Sequence, residues 1–114
     1  MNLPLQITFR GLQHSDAVET KIKEKMVKLE QYCDDITSCR VLVESPHKHN
    51  TQGRLYHVRL DISVPGKEIV VKHDSNDKRE HEDIYVTLRD AFEAARRQLK
   101  EYNQRNHKQV KAHA

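Results

Sequence analysis

The sequence predicts an α+β fold, a two-layer sandwich in which two helices cover one face of a four-stranded sheet. Two long segments carry apolar residues at helical spacing, and four shorter segments alternate apolar and polar residues. Their order along the chain is β-α-β-β-β-α. The 114 residues are enough for one modest core, so we expect a single domain over 1–103 and a basic, disordered tail over 104–114.

The first strand and the first helix are predicted from the N-terminal part of the chain. Segment 5–10 alternates apolar and polar residues, and Gly11 ends the strand. Ser15 or Asp16 is suited to cap the following helix, and Asp16 with Glu19 forms a capping-box pattern. The predicted apolar face of this helix consists of Val18, Ile22, Met26, Leu29 and Cys33.

Three further strands are predicted over 39–44, 56–64 and 68–73, each with one apolar face. Pro65 and Gly66 form a two-residue turn between the last two, since proline presets the first corner and glycine tolerates the positive φ of the second. A right-handed crossover through the first helix makes the first two strands parallel, and an antiparallel meander follows.

The second helix, predicted over 82–105, carries a row of cations beside its apolar face. Arg89, Arg96 and Lys100 stand at i, i+7 and i+11, which places them along one edge of the apolar arc, with Arg97 further round. A solvated helix normally mixes charges of both signs, whereas a sorted row of cations is suited to a phosphate backbone. The apolar arc consists of Ile84, Leu88, Ala91, Phe92, Ala95, Leu99 and Tyr102.

The first helix has a basic edge as well. Lys21, Lys25 and Lys28 flank its apolar arc on one side, the acidic residues lie mainly on the other side, and Lys23 breaks this sorting. The basic edges of the two helices face the same groove if the helices pack side by side. From Ile84 onward, seven Lys and Arg residues stand against three acids, so the charge of +3 is concentrated near the C-terminus.

Composition excludes several classes of protein. No apolar run approaches the roughly 20 residues that cross a bilayer, and the start MNLPLQITFR lacks the apolar stretch of a secretory signal. We therefore expect a cytoplasmic protein that makes no use of a membrane, in which Cys33 and Cys39 are reduced thiols.

Motifs for catalysis or metal binding are missing from the sequence. It contains no GxSxG, no glycine-rich phosphate loop, no CxxC pair and no HExxH, so we expect no enzyme, cofactor, metal or small-molecule substrate. Most of the six aromatic residues fit the predicted core, which argues against a base-stacking platform. Two polar loops, 44–54 and 73–83, contain the histidines His47, His49, His73 and His81. We interpret His47-Lys48-His49 as a solvated, weakly cationic patch.

The chain resembles the short form of the ribosome hibernation-promoting factor and ribosome-associated inhibitor (Y protein) family from about Leu5 to Tyr102. The most specific match is HEDIY at 81–85, followed by Arg97-Gln98-Leu99 and supported by Lys28-Leu29-Glu30. The resemblance implies a fold similar in outline to double-stranded RNA-binding domains. It also implies binding to the small ribosomal subunit in the mRNA and tRNA channel, which blocks translation under stress.

Carried over to this chain, the resemblance places basic residues at the family's basic positions Lys28 and Arg97, whereas Ala94 replaces a residue that is often lysine. Both polar loops are longer than in typical short members. The expected partner is the small subunit with its 16S-type rRNA, and we expect a monomer away from the ribosome. The predicted RNA-binding residues are Lys21, Lys25, Lys28, Arg89, Arg96, Arg97 and Lys100.

Two other functions are compatible with the same residues. A free-standing binder of structured RNA would bind an isolated duplex as tightly as ribosomes. A non-enzymatic protein-interaction module would instead use the wet face of the sheet, with His57, Arg59 and Asp61.

Overall fold

The structure, a computed structural model, describes residues 4–45, 56–74 and 84–113, with side chains described as far as Arg105. The predicted order of elements and the α+β two-layer sandwich are confirmed. The elements are β1 (Leu5–Arg10), α1 (Asp16–Tyr32), β2 (Ser38–Glu44), β3 (His57–Val64), β4 (Lys67–Asp74) and α2 (Ile84–His113).

The four strands form one sheet in the order β1-β2-β3-β4. β1 pairs parallel with β2, with Leu5 opposite Cys39, and the other two pairings are antiparallel, as predicted. The turn between β3 and β4 is formed by Pro65 and Gly66, and Gly66 has a φ of 77°. Glycine adopts this left-handed conformation without the steric cost that a Cβ atom imposes.

The core lies between the sheet and the two helices, which cover the same face. Strand residues alternate between this buried face and a helix-free face, as the period of a β-strand requires. The half-buried apolar residues of β1 pack against the edge of the core. Fully buried side chains include Ile22 and Met26 from α1, Val41, Val58, Leu60 and Ile69 from the strands, and Leu88 and Leu99 from α2.

Helix α1 begins with Ser15 as its N-cap. The Ser15 hydroxyl accepts a hydrogen bond from the backbone N–H of Val18 at 3.2 Å. The predicted capping box of Asp16 and Glu19 is therefore wrong, because Asp16 is already the first helical residue. The carboxylate of Glu19 instead lies 3.3 Å from Nε2 of His14.

Helix α2 reaches further than the sequence indicates. Its backbone is helical to His113, whereas the pattern predicts a frayed end near Arg105 and a disordered tail over 104–114. No glycine or proline follows Gly66, so nothing in the chain interrupts the hydrogen-bond ladder of the helix. Among the residues with described side chains, the last core residue is Tyr102, whose hydroxyl donates to the carbonyl oxygen of Pro65 at 3.1 Å. The domain boundary at 103 stays a prediction.

Both cysteines are free thiols within the core, in agreement with the expected reduced state. Burial raises the pKa of Cys39 to about 12, and the negative charge of Asp61 acts in the same direction. Burial also raises the pKa of Cys33. Because the thiolate is the reactive form, neither side chain is suited to nucleophilic chemistry in the folded protein.

Gly11 is required where β1 leaves the sheet. It has a φ of 76°, and a Cβ atom at this position would lie 2.4 Å from the carbonyl oxygen of Ser45. The backbone N–H of Ser45 donates to the carbonyl of Arg10 at 3.0 Å, which brings the ends of β1 and β2 together. A side chain at Gly11 would disrupt this approach.

The predicted polar loops fall mostly within 46–55 and 75–83, so His81 and the interpretation of the patch at His47 and His49 lie outside the described residues. His73 belongs to β4, where its Nε2 lies 3.6 Å from a carboxylate oxygen of Asp90 in α2. In the part of the chain that the structure describes, neither helix is long and apolar enough to span a bilayer.

Candidate nucleic-acid interface

Helices α1 and α2 lie side by side and run in the same direction. Lys25 of α1 is close enough to Arg89 of α2 for the two charges to interact, and seven residues later Tyr32 contacts Arg96. Next to that contact, the thiol of Cys33 donates to Oδ1 of Asn103 at 3.4 Å. Because both charged contacts advance together along the two helices, the basic edge of α1 faces the basic edge of α2.

We call the surface between the two helices the interhelix groove. At about 100° per residue, its lining positions on each helix fall beside the buried arc rather than opposite to it. The groove brings together six of the seven residues that the sequence predicts to bind RNA. They are Lys21, Lys25, Lys28, Arg89, Arg96 and Lys100.

Lys25 lies at the centre of this charge. Partial burial lowers its pKa, and repulsion from Lys21, Lys28 and then Arg89 lowers it further, whereas Glu93 opposes the shift. Among the described residues, no carboxylate lies within ion-pair distance of Lys25. The ammonium group therefore stands among like charges, an arrangement that an external anion would relieve.

Two of the groove cations already have acidic partners. The ammonium of Lys21 lies 3.3 Å from Glu24, one turn along α1. Arg89 donates from Nε and Nη2 to the same oxygen of Asp90, at 3.2 and 3.1 Å. These are exposed pairs, typically worth no more than about 1 kcal/mol, so a phosphate competes with them at modest cost.

Arg97 is the predicted residue that the fold does not bring into the groove. It is exposed and follows Arg96 directly, so it lies about 100° further round the helix, on the outer face of α2. From there its charge adds to the field around the groove, but contact with an anion inside the groove needs a long reach.

The sequence predicts that most of the aromatic residues belong to the core, and two of the six lie outside it. Tyr32 is 38% exposed and Tyr85 is 36% exposed. The guanidinium carbon of Arg96 lies 5.9 Å from the centroid of the Tyr32 ring, a cation–π contact across the end of the groove. The sequence contains a signal for this placement, because Tyr32 stands four residues after Lys28 and continues the basic edge of α1.

The helix-free face of the sheet has mixed charge. Asp61 accepts a hydrogen bond from Nε of Arg59 at 3.0 Å and lies 3.9 Å from Nη2 of Arg40. These side chains line part of an open depression of about 390 Å³. Nearby, His57 contacts Asp74 on the same face. Because cations here are matched with acids, this face is less suited to a polyanion than the groove is.

Among the described residues, one group of side chains has the composition of a metal site. Ligand atoms of His14, Asp16 and Glu19 lie within 4.8 Å of one another at the start of α1. His14 Nε2 lies 2.9 Å from Asp16, and the imidazole ring also meets the edge of Phe9. His14 and Asp16 are exposed, and hydrogen bonding to the imidazole accounts for the arrangement without an ion.

Comparison with known proteins gives consistent results. A sequence model described as Sigma 54 modulation protein / S30EA ribosomal protein matches residues 5–107. A ribosome hibernation promotion factor from Deinococcus radiodurans is 27% identical over 104 residues, which cover 91% of this chain and 51% of that protein. The chain thus spans about half the length of this curated relative.

Solved structures share the fold. A ribosomal subunit interface protein from Coxiella burnetii superposes with a TM-score of 0.70 at 20% identity. The N-terminal domain of Protein Y from Thermus thermophilus superposes with a TM-score of 0.68 at 19% identity. Each alignment covers 90% of this chain and 99% of the other.

Proposed function

We propose that this chain, which belongs to the Sigma 54 modulation protein / S30EA ribosomal protein family, binds the small ribosomal subunit. By binding there it inhibits translation during hibernation. The family resemblance seen in the sequence is confirmed by the family match and by the relatives. The observation that carries the proposal is the interhelix groove, in which parallel packing joins two basic edges around Lys25.

The groove supplies the attraction to rRNA. Each phosphate that a lysine or arginine neutralises releases condensed counterions, so affinity falls steeply as salt rises. Lys25, Lys28 and Arg96 have no carboxylate within ion-pair distance among the described residues, so a phosphate that binds them displaces no carboxylate partner. The groove thus binds phosphates without first breaking strong internal ion pairs.

Translation is inhibited because the bound protein occupies the channel for mRNA and tRNA. A sandwich held in the mRNA and tRNA channel excludes both ligands by its bulk, and no covalent step, cofactor or metal is required. The protein acts in the cytoplasm, as a monomer away from the ribosome, and its contacts are with 16S-type rRNA. Arg97, on the outer face of α2, strengthens the long-range attraction rather than the contacts inside the groove.

The test is sedimentation of the purified protein with ribosomes through sucrose gradients at two salt concentrations. We expect comigration with 30S and 70S particles that weakens at the higher salt. A variant with Arg89, Arg96 and Lys100 changed to Glu should stay at the top of the gradient while remaining folded by circular dichroism, because these side chains are exposed. Retained association of the folded variant would exclude the groove as the binding surface.

A matched control removes the same amount of positive charge elsewhere. Lys23 lies on the acidic edge of α1, and Lys67 and Lys72 lie on β4; all three are exposed. Changing these three to Glu should reduce association far less than the groove variant does. Equal loss in both variants would show that only net charge matters. Equal affinity of the wild-type protein for an isolated RNA duplex would indicate a general structured-RNA binder instead.

A further inference from the structure

We propose that Tyr32 and Arg96 form a stacking site for a single unpaired base of the bound RNA. This inference rests on the proposed function and specifies part of its ligand: an unpaired nucleotide at the end of the interhelix groove, in addition to phosphates along it. No motif in the sequence and no comparison assigns such a site.

The geometry presents an aromatic face and a guanidinium plane together. Tyr32 is the last residue of α1 and is 38% exposed. The guanidinium of Arg96 lies 5.9 Å from the ring centroid, and Arg96 itself is exposed. Unpaired bases are held in proteins by stacking on tyrosine rings and on arginine guanidinium planes. Both kinds of surface meet here on two different helices.

The site stands on a fixed part of the fold. The backbone N–H of Cys33, which follows Tyr32, donates to the carbonyl of Leu29 at 2.8 Å, and its thiol donates to Asn103 at 3.4 Å. Cys33 is 2% exposed. These contacts hold the end of α1 against α2, so the backbone positions that carry Tyr32 and Arg96 stay next to each other.

Two further cations stand about one helical turn from the members of the Tyr32–Arg96 pair. Lys28 precedes Tyr32 by four residues on α1, and Lys100 follows Arg96 by four residues on α2, about one helical turn in each case. Both are exposed. We expect these two cations to attract the phosphates of a nucleotide whose base stacks on Tyr32.

An unpaired nucleotide fits this site better than a duplex does. Bases within a duplex are covered on both faces by their neighbours, whereas a single Tyr–Arg pair offers room for one exposed base. An apolar peptide is disfavoured because the guanidinium of Arg96 lies against the ring and Lys28 stands about one helical turn before it on α1. The combination of one aromatic ring and several cations selects a nucleotide.

The first test measures affinity for 30S subunits. Tyr32→Leu should weaken binding about 10-fold, within the range for loss of one base–aromatic stack, whereas Tyr32→Phe should stay within about 2-fold of the wild type. The slope of log affinity against log salt should be unchanged in Tyr32→Leu, because no phosphate contact is removed. Arg96→Lys, which keeps the charge but loses the plane, should weaken binding with the same unchanged slope.

The outcomes separate this inference from the proposed function. Failure of the wild-type protein to bind 30S subunits refutes the proposed function, and this inference with it. Wild-type binding with an unchanged affinity of Tyr32→Leu refutes the stacking site alone. A changed salt slope in Tyr32→Leu also overturns it, since that result indicates displaced cations rather than a lost stack.

A second variant covers the case in which Tyr32→Leu does not fold. The chain contains no tryptophan, so Tyr32→Trp introduces a single fluorescent reporter at the site. Protein-free 16S rRNA adds no tryptophan, and saturating amounts should quench the emission, whereas a bound RNA duplex should leave it unchanged. Unchanged emission while the variant cosediments with 16S rRNA would overturn the proposal.

Discussion

Replacing Lys25 by Gln is expected to stabilise the folded domain while weakening its binding to RNA. Lys25 lies among Lys21, Lys28 and Arg89, and its pKa is lowered by partial burial and by these charges. Glutamine has nearly the same helix propensity as lysine, so the substitution removes the charge with little effect on the helix itself.

The magnitude follows from the charges around Lys25. Like-charge pairs one turn apart on a helix cost about 0.2–0.5 kcal/mol each. Lys25 has three repulsive neighbours, and the attraction of Glu93 offsets one of them. The substitution should therefore raise the free energy of unfolding by about 0.4–1 kcal/mol, with some further gain from relieved desolvation. For a domain of this size this corresponds to about 2–6 °C in melting temperature.

Urea unfolding and thermal melting at low salt measure this gain, with Lys23→Gln as the matched control. Lys23 lies on the acidic edge of α1, with its ammonium 3.9 Å from Glu19. The same substitution there removes an attraction, so it should leave stability unchanged or lower it by a few tenths of a kcal/mol. Equal changes in the two variants, or a loss of stability in Lys25→Gln, would refute the electrostatic account of the groove.

The lowered pKa of Lys25 fixes how folding stability changes with pH. Because the pKa of Lys25 is lower in the folded than in the unfolded protein, its charge costs stability below the folded-state value. That cost disappears as pH rises through the window between the lowered pKa and the ordinary 10.5. The advantage of Lys25→Gln over the wild type should therefore shrink across this window. The same variant should also bind ribosomes more weakly. The slope of log affinity against log salt concentration should become shallower by about 0.7–0.9, the contribution of one phosphate contact.

Two further predictions concern the core and the turn at the end of β1. Gly11→Ala should lower the free energy of unfolding in urea by about 2–4 kcal/mol, because its Cβ would lie 2.4 Å from the carbonyl oxygen of Ser45. A Cβ at Gly66 would have nothing within 4 Å. Gly66→Ala should therefore lower it only by the roughly 1–2 kcal/mol that a positive φ costs. A loss at Gly66 equal to that at Gly11 would contradict the close approach. The thiols of Cys33 and Cys39 should react with a disulfide reagent at pH 8 only after unfolding, since burial raises both pKa values. Rapid labelling of the folded protein, followed by absorbance, would contradict their burial.

Local features were accessible from the sequence to different degrees. The strands and their apolar faces follow from alternation, because side chains in a strand point to opposite faces whatever the partner. The cap of α1 was ambiguous between neighbouring residues, Ser15 and Asp16, because both side chains favour this position, and the backbone of Ser15 decided it. The helix end near Arg105 was placed too early, since a polar segment without glycine or proline carries no stop signal.

The exposure of Tyr32 shows why aromatic residues are hard to assign from a pattern. Tyr32 falls at the border of the apolar arc of α1. At such a position, the side chain that the neighbouring helix places there decides whether an aromatic ring is buried or exposed. Here α2 places the charged side chain of Arg96 beside the ring instead of an apolar one, and the ring stays exposed to solvent.

Helical periodicity is a local property, so spacing along each helix was enough to place the cations on one edge of that helix. They are Lys21, Lys25 and Lys28 on α1, and Arg89, Arg96 and Lys100 on α2. Their meeting in one groove depended on the tertiary fold. The sheet topology makes α1 and α2 run in the same direction on one face, and burial of their apolar arcs sets their rotation. An opposite direction or a half-turn of either helix would have kept every local pattern and separated the charges, so only packing creates the site.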